Sequence, residues 1–103
     1  SLHAAFPISQ IIIGNPRHRP LPVNQPASIY GHAFLDNQGG IKGTILGEDG
    51  TILNEISIQS EADGSWSFEV TIPENSGSRI FVDLKIEGND AYNTLISLPV
   101  TEP

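Results

Sequence analysis

Cysteine and methionine are both missing from this 103-residue chain. Without cysteine there is no thiolate metal site, no cysteine nucleophile and no disulfide framework, and the redox compartment is left open. A chain that lacks methionine and begins at Ser1 raises the expectation of a piece processed or excised from a longer protein. No apolar run approaches the ~18–20 residues of a membrane-spanning helix, and no signal-peptide pattern is present. Basic residues are scarce: five Lys and Arg stand against twelve Asp and Glu, a net charge of −7. A surface of that sign repels phosphate backbones, so nucleic acid is not the expected partner. Sustained helical periodicity is also absent.

What the chain has in quantity is turns. Eight prolines and ten glycines punctuate it at short intervals, and between them lie short alternating segments. The clearest runs from Gly64 to Ile72, where Trp66, Phe68, Val70 and Ile72 occupy every second position among Ser65, Ser67, Glu69 and Thr71. That is the period-2 pattern of a strand with one face in a core and one in water. The Asp63-Gly64 pair ahead of it is a strong turn signal. Arg79 to Ile86 alternates equally well, with Ile80, Val82, Leu84 and Ile86 directed inward.

Further strands are expected at Ile8–Ile13, Ser28–Leu35, Ile41–Leu46 and Tyr92–Val100. One strand falls between Thr51 and Ser60, or two if the run breaks near Asn54, with Ile52, Ile56 and Ile58 sharing a parity. Gly14 to Pro26 holds Pro16, Pro20, Pro22 and Pro26 and reads as an extended connection or kinked edge strand, because proline removes ladder donors. About seven short strands with regular turn signals predict an all-β chain, an immunoglobulin-like antiparallel β-sandwich; a barrel is the structural alternative. The domain organisation expected is an N-terminal arm over residues 1–7, one sandwich over residues 8–101, and a tail or linker at residues 102–103. Trp66, Phe68, Val70, Ile80, Val82 and Leu84 are the expected centre of the core. Truncating Trp66 there should cost roughly 3–5 kcal/mol.

Several pieces carry a family resemblance: Ile11-x-Ile13, Pro16, Pro26-x-x-Ile29-x-Gly31-x-Ala33, Glu48-Asp49-Gly50-Thr51-Ile52-Leu53 and Asp63-Gly64-Ser65-Trp66-Ser67-Phe68. In this order they resemble bacterial immunoglobulin-like modules, in particular the Ig-like domain of spore-germination and cell-envelope proteins; the last piece also looks like the Ig-like repeats of bacterial surface adhesins. The resemblance spans about Ile11 to Val100, and the proline-rich stretch from Asn15 to Pro26 departs from it. It implies a non-catalytic, extracytoplasmic module, at the cell surface or secreted, that acts as a spacer or interaction domain in a larger envelope or secreted protein. Its partners would be neighbouring domains of the same chain or other envelope proteins, and polysaccharide is a further candidate. Two alternatives stand beside the spacer: a carbohydrate or cell-wall-polymer binding module, and an accessory domain packed on a catalytic domain of the same protein.

Candidate site residues are few. Tyr30, Phe34 and Phe81 fall on the faces opposite the expected core and would form an interaction patch if clustered. Arg17 and Arg19, around His18, make the only basic cluster contiguous in sequence and are candidates for docking an acidic partner. The acidic turns Glu48-Asp49, Glu61-Asp63 and Glu87-Asp90 invite calcium, which wants several carboxylate and carbonyl oxygens. No dense Asp-x-Asp-x-Asp run supplies them, so no cofactor is expected. His3, His18 and His32 lack metal-ligand spacing. No nucleophile elbow, phosphate loop or His-Glu-x-x-His motif appears, and no catalytic residue is assigned.

Overall fold

The computed structural model describes residues 10–34, 40–87 and 89–101. Within them the chain is all-β, with no helix. The strands are β1 (Gln10–Ile13), β2 (Pro26–Phe34), β3 (Gly40–Leu46), β4 (Ile52–Gln59), β5 (Ser65–Thr71), β6 (Arg79–Ile86) and β7 (Asn89–Pro99). They pair antiparallel in two sheets, ordered β1-β2-β5 and β4-β3-β6-β7. The two sheets share one apolar core, a sandwich-like arrangement. The expected arm at residues 1–7, the turn after Leu35 and the tail at residues 102–103 lie outside the described residues.

Alternation builds that core. From the first sheet come Ile11, Ile13, Ala27, Ile29, Ala33, Trp66, Phe68 and Val70; from the second come Ile41, Ile45, Ile80, Val82, Leu84, Ile86 and Leu98. All six residues expected at its centre are buried. Trp66 stacks on Phe68 with ring centroids 6.0 Å apart and planes 15° from parallel. The indole also lies over Gly31, its partner in the β2–β5 register. A Cβ on Gly31 would sit 2.6 Å from Trp66 Cζ2 and 2.0 Å from the Ile12 carbonyl oxygen. Only a residue without a side chain lets the ring and β1 approach so closely.

Three sequence expectations change. β4 is one unbroken strand, but Ile45 pairs with Asn54 while Leu46 pairs with Ile52, so Leu53 is an extra, bulged residue. A bulge reverses parity: Ile52 therefore turns outward, 58% exposed, and Leu53 packs on the core beside Ile56 and Ile58. β7 begins at Asn89 rather than Tyr92; Ile86 pairs with Asn89 and Lys85 with Asn93, so the strand carries its own irregularity where a turn was expected. The proline-rich connection is also more structured than expected. Leu21 is buried and bridges Val100 in parallel, its N–H donating to the Pro99 carbonyl (2.9 Å) and its carbonyl accepting from Thr101 N–H (2.8 Å). The chain thus leaves the first sheet after β1, touches the edge of the second, and returns at Pro26.

Asn15 makes that departure orderly. Its side-chain amide donates to the Ser28 carbonyl and accepts from Tyr30 N–H, both at 2.9 Å. A buried amide here does what the next residue of β1 would have done, so the ladder ends with its polar groups satisfied. Farther along, Thr94 Oγ1 donates to the Ile11 carbonyl (2.9 Å), tying β7 to β1 across the sheets.

The acidic turns have structural work. Gly47–Thr51 and Glu61–Ser65 share one construction: Gly50 N–H donates to the Gly47 carbonyl and Gly64 N–H to the Glu61 carbonyl. Both glycines have positive φ, +88° and +91°. In each turn the aspartate accepts the backbone N–H two residues on, Thr51 to Asp49 at 3.0 Å and Ser65 to Asp63 at 2.9 Å. This is the Asx-turn that favours aspartate at such positions. Glu48 reaches the neighbouring loop and accepts from Ser78 N–H at 2.8 Å.

Candidate functional site

The outer face of the four-stranded sheet collects most of the chain's basic residues. With Ile41, Gly43 and Ile45 directed inward, β3 presents Lys42, Thr44 and Leu46 outward. The same alternation on β6 presents Arg79, Phe81, Asp83 and Lys85. The register aligns these into rows across the sheet. One reads Ser57–Lys42–Lys85–Asn93, the next Glu55–Thr44–Asp83–Leu95, and the third Ile52–Leu46–Phe81–Ser97. The first row is basic at its centre, the second is acidic and ends in Leu95, and the third is mostly apolar and begins with Ile52; Leu95 and Ile52 are both 58% exposed.

Three of the chain's five basic side chains, Lys42, Arg79 and Lys85, are therefore on this face, with Glu55 and Asp83 among them. Arg79 Nε donates to Ser97 Oγ, and Asn93 Nδ2 donates to Asp83 Oδ1 at 3.3 Å. A depression of about 450 Å³ lies between the basic and acidic rows, rimmed by Lys42, Lys85, Glu55 and Asp83 and walled by Thr44 and Ser57.

The residues singled out from sequence do not converge. Tyr30 is exposed on the outer face of the three-stranded sheet, opposite Ser67; its ring lies against Gly14. Phe81 is half-buried on the outer face of the other sheet. These two do not share a platform. Phe34 pairs with Gln10 through the backbone, and its side chain lies outside the described part of the structure. Arg17 and Arg19 are exposed in the connection after β1. The lysine pair was missed because Lys42 and Lys85 are far apart in sequence; only the strand register reveals them as neighbours, with Arg79 on the same face at the other end of β6.

The other candidate groups are structural in their contacts. Among the described residues, no three of His, Asp and Glu gather as a metal site. The Asp63 carboxyl is held below the usual range, first by the Ser65 hydroxyl and then by its N–H, and His32 adds a smaller favourable charge. Asp49 is lowered in the same direction by the Thr51 N–H and side chain. Trp66 is 3% exposed, and its Nε1–H has no acceptor among the described residues. A second depression, of about 380 Å³, opens beside Tyr30, Gln59 and Glu61. Neither a protein-family model nor a curated protein matches the chain.

Proposed function

We propose that this chain is a non-catalytic, immunoglobulin-like module that acts as a spacer with an interaction face, within a larger envelope or secreted protein. The observation that carries this reading is the path of the chain. Thr94, at the middle of β7, bonds to Ile11, and Leu21 bridges Val100 just past its end, in parallel. From Ile11 to Leu21 the chain therefore advances in the same direction as β7, so β1 and Thr101 lie at different levels along the sandwich. A module threaded this way adds length to whatever it joins.

The strand order supports the immunoglobulin-like part of the reading. β1, β2 and β5 stand as the A, B and E strands of such a fold, and β3, β6 and β7 as C, F and G, with β4 beside β3 as in variable-type domains. It departs from the antibody pattern in two respects: the buried tryptophan is on β5, and no disulfide accompanies it.

A spacer must hold its length under load. Pulled by its two ends in a force spectrometer, the chain should give one cooperative rupture. The length released should be roughly 280 Å, the extended span from Gln10 to Thr101 less the folded separation. Continuous lengthening without a discrete rupture would overturn the spacer reading. The outward apolar row of exposed Ile52 with half-buried Leu46 and Phe81 favours docking on a neighbouring domain as the second reading.

A further inference from the structure

Lys42 and Lys85 are the only lysines in the chain, and the β3–β6 register sets them directly opposite each other. Like charges in that position oppose strand pairing. A carboxylate between them would relieve the repulsion. Asp83, two residues along β6, bonds to Asn93 on β7. Neither lysine has an ion-pair partner within 4.0 Å among the described residues. A local rule broken with no ion pair to offset it among the described residues points to a surface shaped for something outside the fold.

The surroundings limit what that is. The basic row and the acidic row of Glu55 and Asp83 lie one two-residue step apart along the strands, roughly 6.5–7 Å, with the 450 Å³ depression between them. A bare sulfate or phosphate would satisfy the lysines but lie against two carboxylates. A neutral sugar would satisfy the carboxylates, which are strong acceptors for hydroxyl hydrogens, and leave the lysines unneutralised. A polyanion would meet the field of a domain whose net charge is −7. Among ligands that carry no cation of their own, one chemistry suits both rows: a single carboxylate on a ring that carries hydroxyls on its other side. The volume lies within the range of small-ligand sites.

We infer that this depression binds a sugar acid, a pyranose with one carboxylate. Lys42 and Lys85 hold the carboxylate, while Glu55, Asp83 and the Ser57 hydroxyl take the ring hydroxyls. The inference goes beyond the spacer reading and does not rest on it; the pulling experiment and the binding experiment can fail separately.

The test is a titration of the ¹⁵N-labelled chain with D-glucuronate, D-glucose and sulfate in turn, followed by amide shifts. Glucuronate should move the amides of Lys42–Thr44, Glu55–Ser57 and Asp83–Lys85 saturably, with a Kd on the order of 1 mM. Glucose and sulfate should act about tenfold more weakly or worse. Lys42→Gln and Lys85→Gln should each weaken glucuronate by about tenfold, whereas Arg17→Gln should leave it unchanged.

Several results would overturn the inference. They are shifts that are absent or scattered over the surface, a response to sulfate equal to that for glucuronate, and lysine variants that bind as the parent does. Movement of the same amides with protein concentration alone would also overturn it, by showing that a second copy covers the face.

Discussion

Two aromatic rings of this protein rest on glycines: Trp66 over Gly31 inside the core and Tyr30 against Gly14 outside it. At Gly31 the geometry makes a firm prediction. A methyl group there meets the Ile12 carbonyl and the Trp66 ring at distances no relaxation of a side chain alone can open. Gly31→Ala should therefore destabilise the fold by about 1–3 kcal/mol, read as a lower urea midpoint with an unchanged slope. The two turn aspartates give a prediction in pH. Their carboxyls are lowered in the folded chain, so the unfolded state binds protons more tightly. The stability they add is fully present well above the unfolded carboxyl pKa of about 3.9, and it is lost as pH falls through the lowered native values. Asp49→Asn and Asp63→Asn together should flatten the acid limb of a plot of stability against pH, chiefly by lowering its neutral plateau towards the value at low pH.

At the scale of elements, the two long sides of the sandwich differ. Between β1 and β7 the seam is tied by Thr94 and by the Leu21–Val100 bridge. Between β4 and β5 no bridge is formed, and β4 keeps Ile56 and Ile58 only half-buried. Thr94→Val keeps the shape of the side chain and removes the bond to Ile11. It should cost about 1 kcal/mol and speed amide exchange in β1 more than in β5, which hydrogen-exchange spectra can separate.

The same scale shows what the sequence could convey. Arg79–Ile86 was legible to its boundaries because its alternation is uninterrupted and every inward residue is apolar. Ile52 was misplaced because one bulged residue reverses parity without leaving any trace in composition. Leu21 was hidden among prolines that argue against a strand, and a single bridge needs only one residue free to donate. The role of Asn15 was invisible for a different reason: its partners, Ser28 and Tyr30, become neighbours only after β1 and β2 have paired. For the basic face, the alternation assigns each of Lys42, Arg79 and Lys85 to an outward position, but the proximity of the two lysines depends on which strands are adjacent.

For the whole molecule, the net charge of −7 is a source of self-repulsion that favours expansion. Raising ionic strength from about 0.01 to 0.1 M shortens the screening length from about 30 to 10 Å. The melting temperature should rise across that interval and then level off, as calorimetry can show. A flat response would mean that the acidic groups are already balanced locally.

The amide of Asn15 carries a further consequence, one of chemical ageing. Asparagine is lost over time chiefly when the following backbone nitrogen attacks its side chain, closing a ring that reopens as aspartate. Here the following residue is Pro16, whose nitrogen has no hydrogen to give up. That route to aspartate is closed at the one asparagine whose amide ends the β1–β2 ladder. The proline that turns the chain away from the first sheet also preserves the group that completes it.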